Sequence, residues 1–387
     1  MEEKAHRVLS ARPRKASATL SPYRFFFLPF FFFAIPKVLL RESRICKMRL
    51  KIIERTNSRR IIIIHGCNRV SSRVARLKIP NCMHPDVDVL VFGAGAMGSF
   101  FGGVLSRRNR VTLVCRKEHA DAIRRAGLRI TGKTSLVARP EVATSVTRLK
   151  RADLILVFTK AFDTESATKA LRRFAKEPMW VTLQNGPDNA ALLAKVAKRV
   201  VAGVTSHGVT FIRPGEIRHA GIGETAIGGF AGVDAKDVVR VQDLFEEAGI
   251  RTRIASDIRR DLWLKAVVNA GINPLAALTR LRNGYLASIP MLAAATTALC
   301  AEAAAVARAE GFEISDREAS ELALKVARRT RENRASMLQD VERGRRTEID
   351  AITGAILRSA ERHRLQVPMN ALVYSLIRGL ERSYQVE

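Results

Sequence analysis

The stretch VDVLVFGAGAMGSFFGGVLSRR, beginning at Val87, constrains the chain more than any other. Its first residues read as a buried strand, its glycines as a tight turn, and the apolar residues after them as a helix. Glycines in GxGxxG spacing are not specific alone, because any tight turn uses them. Here they have a strand before, a helix after, and a second strand RVTLVC at 110–115. In such a unit Gly93 permits the turn, Gly95 lets backbone approach a pyrophosphate, and Gly98 lets helix and strand pack closely. The helix N-terminus offers unpaired N–H groups and a positive dipole end to phosphates. Gly93, Ala94, Gly95, Ala96, Met97 and Gly98 are therefore the expected dinucleotide-phosphate cradle.

The end of the second strand bears on which dinucleotide is held. An NAD site places Asp or Glu there for the ribose hydroxyls, whereas Arg116 and Lys117 would meet a 2′-phosphate with positive charge. Glu118 is expected to face away, and the cofactor expected is NADPH. Further strands then alternate with helices as a doubly wound sheet requires: ADLILVFTK (152–160) before a helix at 163–175, and WVTLQNG (180–186) before a helix at 188–198. RVVAGVTSHG (199–208) leads into expected hairpin strands, VTFIRPGEIRHAG and GETAIGGF. Lys160 and Asn185 fall at the carboxyl ends of strands, where ligands lie in open α/β sheets.

From about Arg259 only helical patterns occur, among them the Ala-rich LAAATTALCAEAAAVARAEG. The first of these helices, DLWLKAVVNAGINPL, is unusual. Lys265, Asn269 and Asn273 recur every four residues among Leu, Trp, Val and Ile. A step of four on an α-helix drifts only roughly 40°, so the three polar groups form one stripe. Burying such groups without partners is costly. The architecture expected is a Rossmann-like, doubly wound α/β domain over residues 83–255 followed by an all-α domain over 256–387.

Residues 1–82 read differently. YRFFFLPFFFFAIPKVLL is apolar but broken by Pro29 and Pro36, and it is short against the about 20 residues of a membrane span. The expectation is that Met83 is the initiator and residues 1–82 are upstream sequence outside the fold; the alternative is a transit or anchoring extension. The net charge of +29 is uneven: residues 1–82 hold 19 Lys/Arg against 4 Asp/Glu, leaving 47 against 33 for the remainder. Half the excess lies where no helix-turn-helix, zinc finger or base-stacking aromatic motif occurs. Neither a nucleic-acid nor a membrane partner is expected. Five cysteines without a CxxC pair fit a reducing cytoplasm, and seven histidines without HxxxH or HExxH give no metal site.

From about Val87 onward, some three quarters of the chain resembles the ketopantoate reductase family, NADPH-dependent 2-dehydropantoate 2-reductases. The resemblance rests on GAGAMGS, FTKAF, QNG, GVTSHG, LWLKAVVNAGINPLAAL, RNGYL and NRASMLQDVERGRRTEIDAITG, in that order. It implies a small-molecule keto acid as substrate and gives the stripe a purpose. Lys265 would donate the proton to the substrate carbonyl oxygen, with Asn269 and Asn273 on the substrate hydroxyl and carboxylate and Asn283 beside them. It further implies that Ser336 binds the carboxylate and that Glu348 reaches the cofactor ribose or nicotinamide end, close enough to influence Lys265. Asn185 would touch nicotinamide and substrate, Lys160 would sit over the cleft, and Val209 would meet the cofactor through its backbone. Gly208-Val209 stands where relatives have two alanines, which leaves backbone contacts open. Alternatives are a related reductase of another branched 2-keto acid, or a non-catalytic NADP(H) sensor. An apolar helical domain is also compatible with a homodimer.

Overall fold

The computed structural model describes residues 87–147 and 149–384. The readings for residues 1–82, including the start at Met83, fall outside the described residues. The strands are β1 (Asp88–Phe92), β2 (Arg110–Val114), β3 (Leu128–Gly132), β4 (Leu136–Ala138), β5 (Glu141–Ala143), β6 (Leu154–Val157), β7 (Met179–Thr182), β8 (Val200–Thr205), β9 (Gly208–Arg213), β10 (Glu216–Gly221), β11 (Thr225–Ala231) and β12 (Thr252–Ile254). Eight of them form one sheet in the order β12-β11-β8-β7-β6-β1-β2-β5. Its central strands run parallel, with Val89 opposite Val111 on one side and Leu154 on the other. LILV of β6 and MWVT of β7 are buried at every residue, as central parallel strands covered on both faces must be. The chain moves from β1 to β2 on one side, then returns to β6 on the other. That switch opens a crevice at the carboxyl ends of β1 and β6.

Helices α1 (Ala96–Leu105), α2 (Lys117–Ala126), α3 (Thr164–Leu171), α4 (Asn189–Ala194) and α5 (Ala235–Glu247) accompany the strands. The expected helices at 163–175 and 188–198 are shorter than their apolar spacing suggested. The first tightens into a single turn over Arg172–Phe174. The second ends where the N–H groups of Val196 and Ala197 both return to the Leu193 carbonyl. A larger difference concerns GETAIGGF. Instead of extending the β9–β10 hairpin, β11 pairs antiparallel with β8 in the main sheet. The hairpin joins β3 and β4 in a separate four-stranded sheet, order β4-β3-β10-β9. The alternation of β10 explains it: Ile217 and His219 are buried on one face, and Ile217 enters the same core as Phe101 and Ile130.

The remaining helices are α6 (Ile258–Thr279), α7 (Tyr285–Ser288), α8 (Pro290–Ala309), α9 (Asp316–Arg329), α10 (Ser336–Val341), α11 (Thr353–Arg362) and α12 (Pro368–Ser383). The Ala-rich α8 buries Leu299, Cys300, Ala303, Ala304, Val306 and Ala307 in the helical core. α6 belongs to two cores. Ile258 and Leu262 pack with Trp180 and Leu193 of the sheet layer, whereas Trp263, Val267 and Ile272 join the helical core. Its start is set by Asp257, whose Oδ1 accepts from the N–H groups of Arg259 (2.9 Å) and Arg260 (3.2 Å). Pro274 lies inside the helix, so the Ala270 carbonyl has no N–H four residues on.

The cap generates a prediction. Asp257→Ala should lower global stability by about 1 kcal/mol, read from urea unfolding. An unchanged midpoint and slope would show that α6 is positioned by packing alone.

Candidate active site

The cradle is built by close approach. Gly93 has φ +93°, and a Cβ there would lie 2.6 Å from the Thr159 nitrogen. A Cβ on Gly98 would collide with the Gly93 carbonyl oxygen, while one on Gly95 would meet open space. The neighbours of the first and last glycines therefore close the turn, and the middle glycine leaves its outer side clear. The N–H groups of Gly93 and Ala94 both bond the Val114 carbonyl, and that of Gly95 bonds Gly93. Ala96 and Met97, in the first turn of α1, have no such backbone partner among the described residues. This turn fits a pyrophosphate: the N–H groups of Ala96 and Met97 are free of backbone partners among the described residues, and the side chain that would block them is absent at Gly95.

Arg116 is the residue before α2, exposed and without an ion pair among the described residues. Lys117 is exposed too, but its Nζ lies 2.7 Å from Asp121 one turn along. The hydrogen bond to Asp121 and its negative charge hold the Lys117 ammonium above the ordinary lysine pKa. Glu118 is exposed on the same first turn. Val209 is the second residue of β9, opposite His219 of β10.

Lys160 and Asn185 come off the ends of β6 and β7, three residues past Val157 and Thr182. Gln184 braces them: its Nε2 donates to the Thr159 carbonyl (2.8 Å) and to Thr164 Oγ1 (2.9 Å). Asn189 Nδ2 donates to the Asn185 carbonyl. Glu348, only 8% exposed, arrives from the helical part and joins both loops. Its Oε1 accepts from the Ala161 N–H at 3.0 Å, and its Oε2 accepts from Asn185 Nδ2 at 3.0 Å. Lys160 Nζ is 3.8 Å from the same Oε2 and 2.6 Å from Asp340 Oδ2. Burial disfavours the Lys160 ammonium, but the carboxylates of Glu348 and Asp340 more than offset it and raise its pKa. Burial likewise pushes the Asp340 carboxyl up, against the pull of Lys160.

Lys265 is different. Its Nζ donates to the Thr205 carbonyl at the end of β8, 3.1 Å away. Burial pushes its pKa down to about 8, with Glu348 pulling the other way. Of the two lysines, Lys160 is held charged by carboxylates, while Lys265 has one neutral acceptor and can release a proton near neutrality. Along the stripe Asn269 is half-buried and Asn273 buried, neither with a side-chain hydrogen bond among the described residues. Two other expected residues share no hydrogen bond with this group among the described residues. Asn283 is buried, with Nδ2 donating to Thr330 Oγ1 at 2.9 Å and Oδ1 unpartnered. Ser336 is exposed at the start of α10, one turn before Asp340 and so on the face that looks to Lys160.

The sequence reading missed Asp340, Gln184 and the Thr205 carbonyl. Asp340 lies within the SMLQD motif, four residues after Ser336, and that spacing was the available signal. A backbone acceptor such as Thr205 leaves no residue-type signal at all.

An eight-stranded Rossmann-like sheet with a phosphate cradle, closed by a helical domain that delivers a lysine, defines a nicotinamide-dependent oxidoreductase. The particular family follows from comparison with known proteins, and the chain belongs to the ketopantoate reductases. Residues 89–232 match "Ketopantoate reductase PanE/ApbA" and residues 257–381 match "Ketopantoate reductase PanE/ApbA C terminal". A 2-dehydropantoate 2-reductase of Halobacterium salinarum is 39% identical over 300 residues, covering 76% of this chain and 99% of the relative. The crystal structure of a ketopantoate reductase from Ralstonia eutropha aligns with TM-score 0.71 at 32% identity, over 77% of this chain and 99% of the other. D-mandelate dehydrogenase, solved with NADH and anilino(oxo)acetate, shares the fold at 24% identity with TM-score 0.73, over 77% and 99%.

The coupling between Glu348 and Lys265 is open to measurement. In the intact protein Lys265 should titrate near 8, read from the pH dependence of its acylation rate by mass spectrometry. Glu348→Gln removes the charge that favours the ammonium, so the midpoint should fall. A midpoint that stays put or rises would show that Glu348 does not act on Lys265.

Proposed function

We propose that this chain reduces the ketone of 2-dehydropantoate to (R)-pantoate with NADPH, the step that commits a branched keto acid towards pantothenate and coenzyme A. The observation that carries the reading is Lys265, whose Nζ donates to the Thr205 carbonyl alone among the described residues; burial pushes its pKa down to about 8, with the charge of Glu348 opposing. A nicotinamide dinucleotide held at the glycine turn would supply the hydride for C2 of the keto acid. The carbonyl oxygen then becomes an alkoxide, and a cation aimed at it both stabilises the charge and supplies the proton. Lys265 takes that role because its proton is the labile one, and Lys160 does not because its carboxylates hold its proton. Lys160 and Asn185 instead line the strand ends where cofactor and substrate meet.

Substrate binding falls to Asn269 and Asn273, whose amides have no protein partner among the described residues. A buried or half-buried amide without a partner is costly, and a polar substrate would supply one. Ser336 reaches the substrate carboxylate from α10, and Asn283 contributes from its anchored loop. The preference for NADPH rests on Arg116, because Lys117 already has Asp121. The domain limits proposed are residues 83–255 for cofactor binding and 256–387 for substrate binding and proton transfer.

Two outcomes are expected. Lys265→Ala should lower kcat by roughly 10²–10⁴ with NADPH affinity little changed, and Asn269→Ala should raise KM more than it lowers kcat. A folded Lys265→Ala protein with near-normal turnover on 2-dehydropantoate would remove the lysine from the chemistry. Equal turnover of 2-dehydropantoate and 2-oxoisovalerate would refute the assignment of substrate. For the cofactor, Arg116→Ala should weaken NADPH by about tenfold or more while sparing NADH, since a charge-assisted hydrogen bond contributes about 1.5–3 kcal/mol. Lys117→Ala should do less. Equal loss for both cofactors would place the 2′-phosphate elsewhere.

A further inference from the structure

His119 is a buried histidine, 4% exposed, that the chemistry above does not use. It sits in the first turn of α2 with its ring 4.9 Å from that of Phe211. Its Nδ1 faces the Gly215 N–H at 2.9 Å, in the turn between β9 and β10. Its Nε2 lies 3.0 Å from Oγ of Ser99, which is fully buried. Ser99 Oγ in turn lies 3.1 Å from the Ala94 carbonyl of the cradle.

The polarity of this chain is determined. A backbone N–H only donates, so Nδ1 must accept and the proton of the neutral ring is on Nε2. Nε2–H then donates to Ser99 Oγ, leaving the Ser99 hydroxyl hydrogen for the Ala94 carbonyl. The Ser99 N–H separately bonds the Gly95 carbonyl at 3.0 Å. A trans peptide points its carbonyl and its next N–H in opposite directions. Holding the Ala94 and Gly95 carbonyls therefore sets two successive peptide planes, the ones beside the open side of Gly95. The same imidazole ties that turn to α2, which begins after Arg116, and to the hairpin that begins with Gly208 and Val209.

We propose that His119, acting through Ser99, is a positioning residue for the dinucleotide, fixing the peptide planes of the phosphate cradle. It rests on the dinucleotide reading above, and direct binding separates the two. Titration calorimetry of the full chain with NADPH and with NADH is compared for wild type, Ser99→Ala, His119→Asn and His119→Gln. Asn keeps an acceptor for Gly215 but loses the donor to Ser99, whereas Gln can reach Ser99. Ser99→Ala and His119→Asn should raise Kd for both dinucleotides by about five- to tenfold. KM for the dinucleotide should follow, with kcat at saturation within about twofold, and His119→Gln should recover most of the affinity. A Kd unchanged in Ser99→Ala overturns the inference, as does a His119→Gln no better than His119→Asn. Should His119→Asn fail to fold, Ser99→Ala and His119→Gln decide alone. A wild type that binds neither dinucleotide overturns the cofactor reading itself, and this inference with it.

Discussion

The helix Ile258–Thr279 is shared between two hydrophobic cores, and the placement of the reactive groups follows from that sharing. Its first turn is clamped to the sheet by Ile258 and Leu262, and its middle is clamped to the helical core by Trp263 and Val267. A stripe between the two clamps has to face the crevice at the ends of the strands. Lys265 accordingly meets the carbonyl that ends β8. Without the shared helix, the lysine would lie on one body and the strand ends on another. Interiors packed to crystal-like density transmit such positions with little slack.

A second tether, Glu348, fixes the helical part against the loops after β6 and β7 through one N–H and one amide. It also divides the work between two lysines. Both feel its charge, but only Lys160 has Asp340 as well. Burial lowers the Lys265 pKa, with Glu348 alone opposing it, whereas Glu348 and Asp340 together outweigh burial at Lys160. A pair of like residues in unlike environments is how one fold assigns separate roles to identical side chains.

Much of this was legible in the residues, and the reasons are physical. The GAGAMG turn is readable because its glycines answer to steric limits: Gly93 and Gly98 have no room for a Cβ. The parallel sheet was readable from runs such as LILV, which burial on both faces demands. The polar stripe was readable because four-residue spacing survives translation into three dimensions. The second sheet was not, since the alternation in EIRHAG says that one face is buried but not against what. The pairing of β11 with β8 was equally hidden, because register between distant segments is decided by packing. Asn283 carries the right side chain in a recognisable motif, yet its hydrogen bonds run to Thr330 and Asn333. The link from His119 to Ser99 joins positions twenty residues apart and depends on which ring nitrogen faces a backbone N–H.

The depressed Lys265 also couples the fold to alkali in a way that opposes its chemistry. With a folded value near 8 against an ordinary 10.5, the native protein binds fewer protons at this site than the unfolded chain does between those two pH values. Stability therefore rises with pH across that window, where the unfolded chain still holds the proton that the native site has released, and at neutral pH the fold carries the full burden of the buried cation. The proton donation proposed for Lys265 runs the other way, fading as pH climbs past 8. Through this lysine the molecule gains stability under the conditions in which the proposed donor has no proton left to give.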